Sequence, residues 1–258
     1  MLEIIDHSSI REIRLARAPV NALDGELLRH LLDAIAAAQG RDALVITRQP
    51  GVFSAGVGEP AVLTLDHQGL VSVFSTLWHA QRAIATAPMP IVFGLTGHCP
   101  AGGTVLAIHG DYRVMARNVA GAGEFRVGLN EVQVGLFPGP VIAGAFSRLV
   151  GGHASQLLTR GALIDPATAL RMGLVDELSD VADCASRALE VAHEFCALPR
   201  EAMLRTRELT RRDLVGLFGD SAASDANARE FAEMGARMWH DPVTVERLKT
   251  LFRRKAAR

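Results

Sequence analysis

Three short segments hold the residue types from which an active site could be built. Segment 50–58 is a loop of mostly small residues, segment 97–104 is a second glycine-containing loop that opens a predicted helix, and segment 127–139 places Glu131 among apolar residues. Glycine-rich loops let a ligand approach the backbone closely. A carboxylate in apolar surroundings has a raised pKa, which suits it to proton transfer near neutral pH. The pattern predicts proton chemistry at Glu131.

The two glycine-containing loops could supply donors to an anion. The N–H of Gly102 is expected in the first turn of its helix, where backbone N–H groups have no partner inside the helix and the helix dipole favours negative charge. Two loops that each offer one N–H could together hold a developing oxyanion. Each segment also has an ordinary interpretation: a tight turn, a helix–strand contact that admits only small residues, and a surface glutamate. His98 is interpreted as structural.

The composition excludes several classes of protein. Of the 258 residues, 49% are hydrophobic and 21% are charged, which is typical of a globular protein with a sizeable core. The net charge of −1 provides no basic field for nucleic acid. Cys99, Cys184 and Cys196 form no CxxC pair, so disulfides and structural zinc are not expected and a cytoplasmic location is predicted. Residues 1–17 lack the apolar core of a signal peptide, and no apolar run could span a membrane.

The first two-thirds of the chain alternate between short strands and helices. Apolar runs predict strands at 2–5, 10–15, 43–47, 91–95 and 112–116, and 3.6-residue periodicity predicts helices at 24–39 and 66–86 and from the second loop to about His109. Asp24 is placed to cap the first of these helices. The order of elements predicts an α/β core.

The last third is almost wholly helical in its pattern. Candidate helices cover 181–197, 200–209, 222–238 and 242–254, and Pro199 interrupts the chain between the first two. The sequence therefore predicts a core of residues 1–198 followed by a helical oligomerisation subdomain of residues 199–258.

Several strings, in this order and spacing, resemble the crotonase superfamily, also called the enoyl-CoA hydratase/isomerase family. Within it, the strings at 50–56, 99–103, 111–113 and 128–131 are most similar to the mitochondrial-type Δ3,Δ2-enoyl-CoA isomerases. The resemblance implies a spiral of ββα units followed by C-terminal helices that drive trimerisation. A homotrimer or a dimer of trimers is therefore expected.

The resemblance also implies roles for individual residues. The oxyanion hole would be the N–H groups of Val57 and Gly102, and coenzyme A would run along Ala18, Val20 and Ala55. The implied partner is an acyl-CoA thioester. No metal or redox cofactor is expected, since coenzyme A is part of the substrate.

One departure from the family pattern favours a particular reaction. Hydratases of the superfamily use two glutamates to hold and activate a water, and the first of these positions holds Val105 here, while Glu131 occupies the second. A single carboxylate suits a shuttle that moves one proton, so we predict isomerisation of 3-enoyl-CoA to trans-2-enoyl-CoA. Weak hydration or acyl-CoA hydrolysis, and a non-catalytic acyl-CoA-binding protein, remain alternatives. Gly58–Glu59 also departs from the usual loop pattern.

The remaining polar residues are interpreted as structural. Asp111 and Arg113 are expected to pair near the core, and His109 and His153 are expected to have structural roles. Nothing next to Cys99 in the sequence marks it as a nucleophile.

Two further segments have a less specific pattern. Residues 60–80 are expected to line the acyl pocket, without indicating its size. The basic cluster Lys249, Arg253, Arg254 and Lys255 is interpreted as a solvated helix face, although it could meet coenzyme A phosphates.

Overall fold

The hydrophobic pattern of the chain matches the strands and helices that form. The structure, a computed structural model, describes residues 1–57, 60–119 and 124–256, without the side chains of residues 60, 61, 221, 222 and 253–256. The sequence departure at Gly58–Glu59 and the side chains of Arg253, Arg254 and Lys255 lie outside the described residues.

The elements follow one another in short steps. The strands are β1 (Leu2–His7), β2 (Ile10–Leu15), β3 (Ala43–Arg48), β4 (Gly51–Val52), β5 (Ile91–Leu95), β6 (Gly97–Pro100), β7 (Tyr112–Ala116), β8 (Val127–Gly128) and β9 (Glu177–Ser179). The helices are α1 (Gly25–Ala36), α2 (His67–Thr86), α3 (Gly102–Ala107), α4 (Gly139–Val150), α5 (Ala154–Arg160), α6 (Pro166–Arg171), α7 (Cys184–Cys196), α8 (Arg200–Thr210), α9 (Arg212–Gly216), α10 (Ser221–Trp239) and α11 (Pro242–Ala256). Short 3₁₀ turns occupy Pro60–Thr64, Glu131–Val134 and Gly151–His153.

The described strands form two separate sheets. Within the described residues, the larger sheet has the order β1-β2-β3-β5-β7-β9 and the smaller has the order β4-β6-β8. Only β1 and β2 pair antiparallel; the other described pairs are parallel. Each of β3, β5 and β7 is followed by one strand of the smaller sheet and then by a helix or a 3₁₀ turn. This repeat is the predicted ββα spiral, and the α/β fold class is confirmed.

The central strands are apolar on both sides because helices cover both faces of the larger sheet. In β3, Leu44 and Ile46 pack into the core cluster that contains α1 and α2, whereas Ala43 and Val45 face the cluster formed with α7. Successive side chains of a strand point to opposite faces, so a strand buried on both sides has a continuous apolar run.

The helix boundaries were largely predictable from caps. Asp24 accepts hydrogen bonds from the N–H groups of Glu26 and Leu27, and Asp66 caps α2 in a similar way. The predicted ends were less accurate: α1 ends at Ala36 rather than near residue 39, and α7 begins at Cys184 rather than at residue 181.

The two glycine-containing loops were predicted without strands, and that prediction was wrong. Residues 49–60 contain β4, and residues 96–103 contain β6. Both strands are short, and neither carries the apolar run or alternation that marks a strand in a sequence. They form because each lies against a neighbour in the smaller sheet.

The C-terminal helices pack back onto the core. The ring of Phe74 in α2 makes edge contacts with the rings of Phe231 and Trp239 in α10. The division into residues 1–198 and 199–258 stays a prediction. Across the described part of the chain, no helix combines the length and the apolar character needed to cross a bilayer.

Candidate active site

The smaller sheet brings the three predicted segments together. Its strands β4, β6 and β8 are parallel and in register, with Gly51 opposite Gly97 and Cys99 opposite Val127. Each strand lies at or near the start of one of the predicted segments. Because the carboxyl ends of parallel strands lie at the same edge of a sheet, segments far apart in the chain meet there.

A cavity of about 520 Å³ lies at this edge. Five of the six residues predicted for the site line it: Val20, Ala55, Val57, Gly102 and Glu131. The sixth, Ala18, is exposed and is not part of the cavity wall.

The backbones of the two glycine-containing loops are packed against each other. A Cβ added to Gly102 would lie 3.1 Å from the backbone N of Val57 and 2.9 Å from Leu23 Cδ1. Among the described residues, neither the N–H of Val57 nor that of Gly102 has a hydrogen-bond acceptor. Two unpaired donors side by side at a cavity wall are the arrangement that an oxyanion hole requires.

A residue with strained backbone immediately precedes the second donor. Ala101, immediately before α3, has a φ of 50° and a ψ of −121°. This conformation costs a residue with a Cβ of order 1–3 kcal/mol, and such strain concentrates at functional sites. The Ala101 N–H bonds to the carbonyl of Gly128 at 2.8 Å, which holds the strained residue against β8. The α3 helix is short, so the donor itself matters more here than the helix dipole.

A buried asparagine fixes the first loop. Asn21 donates from Nδ2 to the carbonyl of Phe53 at 3.0 Å, and its own carbonyl accepts from Ser54 Oγ at 2.8 Å. Ser54 Oγ in turn accepts from the Gly56 N–H at 3.1 Å. The sequence indicated no role for Asn21, since a polar residue outside the three segments carries no local signal of burial.

Thr104 connects the second and third segments. Its Oγ1 donates to the carbonyl of Cys99 and accepts from the Gly128 N–H at 3.0 Å. One hydroxyl therefore connects β6, α3 and β8. Thr104 lies two residues after Gly102, and its partner Gly128 lies three residues before Glu131. This role was also missed from the sequence.

Glu131 is a nearly isolated carboxylate. It opens the 3₁₀ turn Glu131–Val134 and lines the cavity, and its Oε2 is buried without a hydrogen-bond partner among the described residues. The side chain as a whole is half-buried, because it borders an open cavity. Burial raises the pKa of the carboxyl to about 7. A group with this pKa can both accept and return a proton near neutral pH.

The far part of the cavity is apolar and is built largely by the C-terminal helices. Helix α2 contributes Phe74 and Leu77, in the segment 60–80 that was expected there. Helices α10 and α11 contribute residues that the sequence analysis did not assign to the site: Phe231, Met234, Gly235, Met238, Trp239, Leu248, Leu251 and Phe252. Their spacing of three and four residues was the available signal, but it does not distinguish a cavity wall from a packed core.

Comparison with protein families decides the relationship. The family model described as enoyl-CoA hydratase/isomerase matches residues 6–238. The chain belongs to the enoyl-CoA hydratase/isomerase family. The resemblance to the crotonase superfamily is thereby confirmed.

Among the relatives of this chain in the enoyl-CoA hydratase/isomerase family, some are named isomerases and others probable hydratases. The chain is 26% identical to human mitochondrial enoyl-CoA delta isomerase 1 over 80% of its own length and 68% of the relative's. It is 30% identical to a probable enoyl-CoA hydratase, echA17, of Mycobacterium avium over 73% of each chain. The crystal structure of human mitochondrial Δ3-Δ2-enoyl-CoA isomerase superimposes with a TM-score of 0.86 at 23% identity, covering 99% of this chain and 98% of that one. The resemblance to the mitochondrial-type isomerases is confirmed.

Val105 lies in the same cavity wall as Glu131. It is 2% exposed, belongs to α3 and lines the same cavity. Among the described residues that line the cavity, Glu131 is the one carboxylate. An apolar side chain at position 105 can neither hold nor activate a water.

His98 was interpreted as structural, and in the structure it both makes a structural contact and lines the cavity. Its Nδ1 accepts a hydrogen bond from the Arg126 N–H at 3.0 Å, which is a structural contact. The residue also lines the cavity, together with Asn130.

The predicted pair of Asp111 and Arg113 does not form. Asp111 instead binds Arg207 through two hydrogen bonds of 2.8 and 2.9 Å and lies 3.1 Å from Arg211, whereas Arg113 pairs with Asp176 at 2.7 Å. The pairing was wrong because Asp111 precedes β7 and faces α8 and α9. Neither residue lines the cavity, so the predicted structural role agrees with the structure.

Other candidates also lie away from the cavity. His109 is buried, with Nδ1 2.7 Å from the Val105 carbonyl, and burial lowers its pKa to about 4. His153 is exposed in a 3₁₀ turn. Burial raises the pKa of the Cys99 thiol far above its ordinary value, which makes it a poor nucleophile. Lys249 is exposed on α11.

Proposed function

We propose that this protein isomerises a 3-enoyl-CoA to the trans-2-enoyl-CoA, with Glu131 as the single proton carrier. The observation that carries this proposal is the carboxylate of Glu131, whose Oε2 is buried without a hydrogen-bond partner among the described residues. It faces a cavity in which Val105 occupies the position of the other hydratase glutamate. A hydratase must activate a water and also protonate carbon, whereas an isomerase moves one proton between two carbons.

The reaction conserves atoms and charge. The ionised carboxylate of Glu131 removes a proton from C2, and the electron pair moves through the C2–C1 bond onto the thioester oxygen. The N–H groups of Val57 and Gly102 stabilise that oxyanion. The dienolate then collapses, C4 takes the proton back from Glu131, and the double bond lies between C2 and C3. The carboxylate is regenerated, and no water or cofactor is consumed.

The surroundings supply what this scheme needs. An apolar wall keeps water from the dienolate and strengthens the electrostatic effect of the two N–H donors. Val20 and Ala55 would contact coenzyme A near the cavity, and Ala18 would meet it further out, on the exposed surface. An acyl-CoA is thus the proposed substrate, and a homotrimer or dimer of trimers is the proposed assembly. The cytoplasmic location stays a prediction, and the human relative's name places that relative in mitochondria.

Hydration is the second candidate, because the relative from Mycobacterium avium is named a probable hydratase. A panel of 2-enoyl, 3-enoyl and saturated acyl-CoA substrates, followed by absorbance and mass spectrometry, separates the candidates. Isomerisation converts the 3-enoyl substrate at constant mass, hydration adds one water to the 2-enoyl substrate, and hydrolysis releases free coenzyme A. A protein that binds these thioesters and changes none of them is a binding protein.

A further inference from the structure

The C-terminal helix α11 contacts the turn that carries Glu131. Arg247 donates from Nη1 to the carbonyl of Gln133 at 2.9 Å, and the buried Thr244 donates from Oγ1 to the carbonyl of Gly135 at 3.3 Å. Both acceptors lie within four residues of Glu131. Two side chains one turn apart on α11 therefore hold the backbone on which the proposed base is mounted.

The turn and α11 are closely fitted. Gly135 ends the turn with a φ of 90°, and a Cβ at this position would collide with Thr244 Oγ1. Gln133 also donates from Nε2 to the carbonyl of Gly161 at 2.9 Å. The turn is thus hydrogen-bonded both to α11 and to the residue that follows α5.

The same helix also forms part of the apolar cavity wall. Leu248, Leu251 and Phe252 line the cavity. Leu248 and Phe252 also belong to a hydrophobic cluster with Val134 and Leu136, which are part of the Glu131 turn or follow it directly. Helix α11 therefore contacts the cavity on one hand and the turn on the other, the latter through both hydrogen bonds and packing.

We propose that Arg247 and Thr244 are positioning residues that couple occupation of the apolar cavity to the placement of Glu131. This inference rests on the proposed function for its kinetic consequence. When an acyl chain fills the cavity, it fixes the position of α11. The hydrogen bonds from α11 then fix the position of the turn that carries Glu131. Binding energy from the remote acyl chain is then used at the reacting carbons and raises kcat, instead of lowering KM alone.

The kinetic test compares acyl chain lengths in four proteins. For wild type, kcat should rise with the length of the 3-enoyl chain until the cavity is full. For Arg247→Ala, kcat should fall about 10- to 100-fold, with a small change in KM and a flattened dependence on chain length, since a displacement of about 1 Å has effects of this size. Arg247→Lys keeps a donor and should recover part of the loss. Glu246→Ala, at an exposed neighbouring position on α11, is the matched control and should behave as wild type.

A second readout needs no turnover. The pKa of the Glu131 carboxyl, followed by ¹³C NMR titration, should be about 7 in wild type. In Arg247→Ala it should fall by about one unit or more as the loosened turn admits water. Glu246→Ala should leave it unchanged. The same comparison with a bound saturated acyl-CoA reports the coupling directly, because the ligand should restore part of the shift.

The two proposals fail separately. If Arg247→Ala shifts the pKa but wild type isomerises nothing, the positioning role stands and the proposed reaction is wrong. If wild type isomerises 3-enoyl-CoA while Arg247→Ala keeps both the wild-type kcat and the wild-type pKa, the positioning role is overturned. Thermal melting of each variant identifies losses that come from unfolding alone. Thr244→Val removes the other hydrogen bond between α11 and the turn, to the Gly135 carbonyl.

Discussion

A carboxylate oxygen that is buried without a hydrogen-bond partner is unfavourable for folding, and Glu131 Oε2 is in this position among the described residues. Removing an ionised group from water costs free energy unless hydrogen bonds or opposite charges compensate. Here burial dominates, and the pKa of the carboxyl rises to about 7. A carboxylate with only a structural role would be stabilised by a hydrogen-bond partner at Oε2. In a proton carrier, the missing partner helps to keep the pKa near neutral pH.

The raised pKa predicts the dependence of the reaction on pH. Glu131 must be ionised to remove the C2 proton, so kcat/KM should rise with pH along a limb with an apparent pKa of about 7 and level off above it. Initial rates on a 3-enoyl-CoA across this range measure the limb. A plateau that extends down to pH 5 would exclude Glu131 as the base.

The same shift predicts a gain in stability when the charge is removed. The folded-state pKa of about 7 lies above the ordinary value of 4.5, so the folded protein binds this proton more tightly than the unfolded chain does. Ionisation of Glu131 therefore destabilises the fold progressively as pH rises from about 4.5 to about 7. Glu131→Gln should be more stable than wild type by up to about 3 kcal/mol above this range, with the difference vanishing at its acid end.

Urea unfolding of both proteins at several pH values measures this difference. A constant difference from acid to neutral pH would mean that the pKa of Glu131 is not raised in the folded protein.

At the scale of elements, the ends of β4, β6 and β8 assemble the site. The parallel register of these short strands places Val57, Gly102 and Glu131 at one edge, although 74 residues separate the first from the last in sequence. A Cβ at position 102 would lie 3.1 Å from both Gly56 Cα and the Val57 N, so a side chain there would push the two loop backbones apart. Local contacts therefore explain why a glycine occupies position 102.

Filling this contact should remove activity. Gly102→Ala places a methyl group 3.1 Å from the Val57 N and should separate the two donors. Loss of one oxyanion donor costs about 10²- to 10³-fold in kcat, and we expect a loss of at least this size. Gly216→Ala is the matched control, because its Cβ meets nothing within 4 Å. Steady-state rates of both variants decide the matter; equal activity in Gly102→Ala would remove this loop from the oxyanion hole.

Most of the elements and the chemically active residues of the site could be predicted from the sequence, but not all the strands and contacts that surround the site. Asp24 and the apolar runs of β3 and β5 are local signals, and the elements they predict are present. Strands β4 and β6 were not predictable because only their neighbours in the sheet define them. Asn21 and the partners of Asp111 depend on contacts between distant segments, which a single sequence does not reveal.

At the scale of the whole molecule, the C-terminal helices join the core through a buried ion cluster. Arg207 in α8 and Arg211, immediately before α9, converge on Asp111, and Arg211 also donates to the carbonyl of His109 at 2.6 Å. Burial lowers the pKa of Arg211 to about 10. Removing one partner of such a cluster leaves charge buried without compensation.

Asp111→Ala should therefore destabilise the whole protein. We expect a loss of about 3–5 kcal/mol in the free energy of unfolding, since Arg207 and Arg211 would lose their common partner. The matched control is Glu201→Ala, which breaks an exposed pair with Arg205 in α8 and should cost less than about 1 kcal/mol. Chemical denaturation measures both. Equal effects of the two substitutions would contradict the importance given to the buried cluster.

The central claim is that one carboxylate carries one proton between two carbons. Mass spectrometry and absorbance of wild type and Glu131→Gln, each incubated with a 3-enoyl-CoA in water, test it most directly. Wild type should form trans-2-enoyl-CoA at unchanged mass, and Glu131→Gln should lose about 10²- to 10⁴-fold of that rate while still binding the thioester. A wild-type product that has gained a water, or equal rates for the two proteins, would contradict the account.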